Sequence, residues 1–289
     1  MKVARDVGEL ERRPRAVAIG TFDGVHLGHR RVLQAATAAA GLTPTVVTFD
    51  PHPRAALGYG VELLATLERR LELLATAGVE EALVVEFGLA LAQLGPEEFA
   101  AAVLRPIGAE VVVAGANFRF GRGRTGDLAL LERLGFDVRP VPLVESVSST
   151  RIRDLLRAGE VARAARLLGR PAEVEGVVVA GDARGGTLGF PTANLRLDPQ
   201  LLVPAHGIYA GATEEHRAAI SIGTNPHYGG EERRIEAFLL DFDGDLYGRR
   251  VVLQLWRRLR DEQAFGSEEE LVRQIARDVE ETRAAEPPV

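Results

Sequence analysis

Apolar runs recur through the first half of the chain at 16–19, 44–49, 82–87, 110–114 and 137–141, each of a length that suits a buried strand. Stretches rich in helix formers separate them, at 30–40, 67–75 and 96–104. Strand and helix in alternation predict an α/β domain, a doubly wound parallel sheet with helices on both faces. Two more helices are expected at 151–158 and 160–168, before Gly169-Arg170-Pro171 breaks the pattern. Beyond it the pattern becomes alternating: 174–180, 218–222, 235–242 and 251–256 read as strands between turn residues, which predicts a C-terminal β-barrel. Ser267-Glu268-Glu269-Glu270 is a capping box for a terminal helix, with Leu271, Ile275 and Val279 on one face. The change of texture predicts two domains, 1–170 and 171–289.

In doubly wound sheets ligands bind beyond the carboxyl ends of the strands. Three segments of unusual composition fall there. After the first strand comes Gly20-Thr21-Phe22-Asp23-Gly24-Val25-His26-Leu27-Gly28-His29, a glycine-punctuated turn into a helix. Glycine lets backbone approach a ligand, helix-start N–H groups attract anions, and His29 lies one turn from His26 on the same side. After the second strand, Asp50-Pro51-His52-Pro53 holds a histidine between two prolines. After the fourth, Asn117-Phe118-Arg119-Phe120-Gly121 leads into Gly123 and Gly126; its rings either flank a planar ligand or pack on the core.

Composition narrows the chemistry. The chain of 289 residues is 46% hydrophobic, enough for a sizeable core. It contains no cysteine, which excludes thiolate metal sites, disulfides and cysteine nucleophiles. Lys2 is its only lysine, so a P-loop is excluded and phosphate charge must be met by Arg, His, backbone N–H or a metal ion. A net charge of −6 argues against nucleic-acid binding, and the apolar runs are too short to span a bilayer. A cytoplasmic protein without nucleic-acid or membrane partners is expected, with transient self-association left open.

The segment Gly20–His29 resembles the signature of the HxGH-type nucleotidyltransferases. It is most similar to the adenylyltransferase half of the bacterial bifunctional riboflavin kinase/FMN adenylyltransferases, the FAD synthetases. Thr48-Phe49-Asp50-Pro51-His52-Pro53 resembles that family's TFxPHP element, and Ser148-Ser149-Thr150-Arg151-Ile152-Arg153 its ISSTxIR element, with Val147 in place of isoleucine. The resemblance implies attack of the FMN phosphate on the α-phosphorus of ATP, giving FAD and pyrophosphate. It places Gly20, Phe22, Asp23, Gly24, His26, His29, His52, Asn117 and Phe118 at ATP and FMN, with His26 and His29 on the ATP phosphates. Ser149, Thr150 and Arg153 go to the leaving pyrophosphate, and Mg²⁺ bridges. Because the attacking phosphate is already ionised, positioning and charge stabilisation carry such a reaction.

The C-terminal half opens with a glycine-rich loop from Gly181 through Gly185 to Gly189, ending in Phe190-Pro191-Thr192-Ala193-Asn194. This resembles the riboflavin kinase signature. Pro204, Gly207 and Tyr209, Ser221-Ile222-Gly223-Thr224-Asn225-Pro226, and Asp245-Leu246-Tyr247-Gly248 resemble further elements of it in family order. The resemblance implies Thr192 and Asn194 as Mg²⁺ ligands, and ATP and riboflavin contacts from Gly181, Gly185, Gly189, Pro191, Thr192, Asn194, Asn225 and Arg260. It makes Glu236 the base that takes the riboflavin 5′-hydroxyl proton. From the residues alone, Glu236 shares a strand face with Phe238, Leu240 and Phe242, which suits a general base, or else stands at an exposed strand start.

Three positions depart from the family pattern: Gly186 replaces an arginine, Phe238 a histidine and His227 a threonine, with Arg184 placed to compensate the first. The expected function is phosphorylation of riboflavin and adenylylation of FMN. The alternatives are an adenylyltransferase with a degenerate kinase half, a metal-dependent phosphoesterase using His26, His29 and His52, and a non-catalytic flavin-binding protein.

Overall fold

The structure, a computed structural model, describes residues 1–181, 189–224 and 233–289. It packs as two compact units, Met1–Val61 with Thr66–Ser148, and Glu62–Ala65 with Ser149–Val289. This packing boundary lies ahead of the expected division at 170/171. The reason is burial: Ile152, Leu155, Leu156, Val161, Ala164 and Leu168, from helices α7 (Ser149–Arg157) and α8 (Val161–Leu168), belong to the core of the second unit.

In the first unit, β1 (Lys2–Ala4), β2 (Arg15–Ile19), β3 (Thr43–Asp50), β4 (Glu81–Glu86), β5 (Ala109–Gly115) and β6 (Asp137–Val141) form one parallel sheet in the order β1-β4-β3-β2-β5-β6. Every residue of β2 is buried, because its alternate side chains enter cores on opposite faces: Val17 and Ile19 on one, Ala16 and Ala18 on the other. That two-sided burial is why the strand reads as an unbroken apolar run. The strand order reverses between β2 and β5, so the turn after β2 lies at a topological switch point. β1 was not expected, since three residues carry too little pattern. The helical stretch 96–104 forms as α5 (Pro96–Phe99) running into a π-helical turn, Ala100–Leu104. The unit's other helices are α1 (Leu27–Thr37), α2 (Pro53–Ala56), α3 (Leu67–Thr76), α4 (Leu89–Gln93) and α6 (Leu128–Arg133).

At the amino ends of β2 and β4, Arg15 is fully buried and its Nε donates to Glu81 Oε2 at 2.8 Å. Arg13 donates to the other carboxylate oxygen. Burial pushes the Glu81 carboxyl up, but these two guanidinium groups outweigh it and hold the group below its ordinary value.

In the second unit, β7 (Ala172–Val179), β8 (Ala193–Arg196), β9 (Gly207–Ala212), β10 (Arg217–Thr224), β11 (Arg233–Leu239) and β12 (Arg250–Arg260) close an antiparallel barrel in the order β10-β11-β8-β7-β12-β9. Ile220, Ile222, Ile235, Ala237, Leu253 and Leu255 lie in its core. Two of these strands were not anticipated: β8 is short and half polar, and β9 is rich in Gly and Ala. Ser267 caps the terminal helix α9 (Glu268–Ala284), its side chain accepting from the Glu270 N–H at 3.2 Å.

Candidate active sites

The glycine-punctuated turn leaves β2 under conformational load. Phe22 and Val25 both have positive φ, 50° and 39°, and for a β-branched valine that is an outlier. Such backbone persists only where its surroundings hold it. Here the Thr21 carbonyl accepts from Thr48 Oγ1 at 3.2 Å and from Arg70 Nη1 at 2.9 Å, while Arg70 Nη2 donates to the Phe49 carbonyl at 3.0 Å. Arg70, on α3, is 3% exposed and ties the turn to the end of β3.

α1 starts at Leu27, earlier than the expected start near residue 30, because His26 is its N-cap: Nδ1 accepts the His29 N–H at 3.2 Å. A Cβ at Gly28 would stand 3.2 Å from the His26 ring, so glycine there gives the cap its room. The His26 and His29 rings stack with centroids 3.6 Å apart, and Phe22 meets His29 edge-on at 5.3 Å. His29 Nδ1 is buried and has no hydrogen-bond partner among the described residues. Burial, then the neighbouring His26 and Arg70, push the His29 pKa well below its ordinary value, so the ring is neutral near pH 7.

His52 repeats the device, capping α2 with Nδ1 on the Arg54 N–H at 3.2 Å. A neutral imidazole that accepts at Nδ1 carries its proton on Nε2. His26 and His52 are thereby set as hydrogen-bond donors at Nε2. A metal-bound histidine donates its non-ligating N–H instead. The phosphoesterase alternative therefore lacks support: among the described residues no three His, Asp or Glu side chains are grouped to hold a metal ion.

Gly20, Phe22, Asp23, Gly24, His26 and His29 thus come together in one turn, and Arg70 ties that turn to the end of β3, just before the His52 loop. Asn117 is exposed after β5. Phe118 stacks on Phe120 at 5.6 Å, and Phe120 in turn meets Phe99 at 5.7 Å within the core. Phe120 is buried in the core, whereas Phe118 packs against that core with part of its surface exposed. Ser149, Thr150 and Arg153 open α7, in the second unit, where Arg153 Nε donates to the Glu62 carbonyl at 2.6 Å.

The second site gathers on the barrel's outer surface where β8 and β11 pair. Glu236 pairs with Asn194 across the strands, and Thr192 Oγ1 donates to Glu236 Oε2 at 3.1 Å. Arg234 Nε lies 2.8 Å from Glu236 Oε1 and donates to Asn194 Oδ1 at 2.8 Å. Phe190 meets Phe238 edge-on at 5.4 Å. Gly181 faces Asn194 so closely that a Cβ there would stand 2.2 Å from Nδ2. Pro191 is exposed, and Gly189 adopts φ 85°.

One expectation for this site is corrected. β11 ends at Leu239, so Glu236 shares its face with Phe238 but not with the buried Leu240, and an arginine stands beside it. Arg260 is engaged by α9, its Nη2 lying 2.7 Å from Asp278 Oδ2, with Phe265 beneath the guanidinium. Gly185, Gly186, Arg184, Asn225 and His227 lie outside the described residues.

Arg70 and Arg234 were missed from sequence. Arg70 was legible as a charge on the Arg70, Leu73, Leu74 stripe that α3 buries, and Arg234 as a cation two residues from Glu236 on one strand face.

Residues 9–153 match a family model described as FAD synthetase, and residues 168–285 one described as riboflavin kinase. The chain is 36% identical to the bifunctional riboflavin kinase/FMN adenylyltransferase of Listeria monocytogenes, covering 93% of this chain and 92% of that protein. It is 37% identical to the protein so named from Escherichia coli K12, covering 96% of both. A solved structure from Streptococcus pneumoniae, described as a macrolide-efflux protein, superposes with a TM-score of 0.87 at 34% identity, over 97% of this chain and 98% of that one. Among the described residues no helix is long and apolar enough to cross a membrane.

Proposed function

This chain belongs to the bifunctional riboflavin kinase/FMN adenylyltransferase family, and we propose how its residues share the two reactions. It phosphorylates riboflavin to FMN with ATP and adenylylates FMN to FAD with ATP, releasing pyrophosphate. The Glu236–Thr192–Asn194–Arg234 cluster carries the kinase assignment: a carboxylate sits beside two neutral oxygen donors at the mouth of a glycine-rich loop.

In the kinase half, Glu236 takes the proton of the riboflavin 5′-hydroxyl, whose oxygen attacks the γ-phosphorus as ADP leaves. Thr192 and Asn194 are the oxygen donors that fit Mg²⁺, a hard cation that takes few protein ligands; when bound, it neutralises phosphate charge. In the adenylyltransferase half, neutral His26 and His29 donate hydrogen bonds to the ATP phosphates, and a phosphate oxygen of FMN attacks the α-phosphorus. His52 and Asn117 contact nucleotide or flavin. Ser149, Thr150 and Arg153 serve the departing pyrophosphate. The reactions belong to the cytoplasm, where ATP and flavin meet.

Resolving products from the full-length protein tests the division. With riboflavin, Mg²⁺ and ATP, FMN and FAD both accumulate. Glu236→Gln should lose FMN formation by about 10²–10⁴-fold, the usual share of a general base, while still converting supplied FMN to FAD. His26→Asn should do the reverse. If Glu236→Gln phosphorylates riboflavin at the parent rate, the base assignment falls; if the parent converts only supplied FMN, the kinase assignment falls.

A further inference from the structure

Two loops of the first unit carry histidines, and one side chain bonds the first of them to the strand that leads into the second. Arg70 reaches from α3 to donate to the Thr21 carbonyl of the His26/His29 turn and to the Phe49 carbonyl just before the His52 loop. Its Nε has no hydrogen-bond partner among the described residues, so the side chain gives up one donor to make this particular bridge. Asp23, 1% exposed, and Asp50 are the anions that act on it, and His26 and Arg70 are the groups that act on His29. Arg30 and Arg31 stand on α1 itself.

A buried guanidinium is costly unless its charge and donors are used. Packing alone would be served as well by a leucine, since α3 already buries Leu73 and Leu74 on the same stripe. What leucine cannot do is hold the carbonyl of a turn and the carbonyl of a neighbouring strand end with one planar fork.

We propose that Arg70 is the positioning residue of the adenylyltransferase site: its planar fork, and the charge it carries, hold the His26/His29 turn to the end of β3, where the His52 loop begins. This rests on the assignment of the adenylyltransferase reaction to His26 and His29. The two effects are separable by chemistry. Methionine removes fork and charge together, whereas lysine keeps the charge and loses the planar fork.

The test uses the full-length protein, with riboflavin phosphorylation by the second unit reporting that each variant is folded and active. Adenylylation of supplied FMN is measured against pH, and the His29 imidazole is followed by NMR titration. Arg70→Met should lower kcat for adenylylation by about 10²-fold, the loss that follows a misplacement near 1 Å, with riboflavin phosphorylation unchanged. The His29 midpoint should rise while staying below that of a free histidine, because burial and His26 still act on it. Arg70→Lys should keep the His29 midpoint low without recovering the rate.

Parent-like adenylylation in both variants overturns the proposal, as does a His29 midpoint that Arg70→Met leaves unmoved. Loss of both activities together in both variants also overturns it, since that marks a structural role. His26→Asn separates the two readings: if it abolishes adenylylation while the Arg70 variants do not, the site stands and only the role of Arg70 falls. If His26→Asn is itself fully active, the site assignment is what fails.

Discussion

Gly181→Ala should silence the kinase and spare the adenylyltransferase. A Cβ built at Gly181 stands 2.2 Å from Asn194 Nδ2, 2.4 Å from Cγ and 2.7 Å from Oδ1, so the whole carboxamide is in the way. An ordinary contact needs about 3.5 Å, so the Asn194 head must move by roughly 1 Å. Asn194 is 8% exposed, and its backbone is pinned between β7 and β11, so the movement must come from rotating the side chain. Rotation breaks the 2.8 Å bond from Arg234, a hydrogen bond to a charged group worth about 1.5–3 kcal/mol, and carries Oδ1 away from Thr192 and Glu236. A 1 Å error among positioning groups costs about 10²-fold in rate, or about 2.7 kcal/mol of barrier. The assay is initial-rate riboflavin phosphorylation at saturating ATP, with adenylylation of supplied FMN in the same preparation as the reference. A Gly181→Ala protein that phosphorylates riboflavin within about twofold of the parent would refute the reasoning, because the carboxamide would then be free to move without consequence.

Two further outcomes concern stability. His29 is held neutral in the folded state, its pKa well below 6.5, so below that pH the unfolded chain binds a proton the native state refuses. Stability should therefore fall as pH drops below about 6.5, by at most about 1.4 kcal/mol per pH unit from this group. His29→Asn should flatten that slope in urea unfolding between pH 7.5 and 5.5, and equal slopes would refute the assignment of the proton to His29. Glu81→Ala leaves the fully buried Arg15 without its carboxylate and should cost about 3–5 kcal/mol, read as a lower urea midpoint. The histidine turn lies at the far end of β2, so the surviving folded protein should keep its adenylylation rate.

The strand–helix alternation, the change to a barrel and the loops that bear the chemistry were all written in local pattern, because periodicity and glycine, proline and histidine chemistry act over a few residues. β2 showed itself as an apolar run since both its faces are covered, and Ser267 announced α9 through its cap. The side chains that organise each site were decided by tertiary structure. Arg70 finds the Thr21 and Phe49 carbonyls only because α3 packs beneath the ends of β2 and β3. Arg234 meets Asn194 only because β8 and β11, 40 residues apart, pair in one register. His26 as a cap, Arg260 as the partner of Asp278, and the packing of α7 and α8 into the barrel's core are likewise settled by neighbours distant in sequence or by backbone geometry that residue pattern does not encode. Local pattern fixes which groups are available; long-range packing sets the distances and burial that give them their partners and charge states.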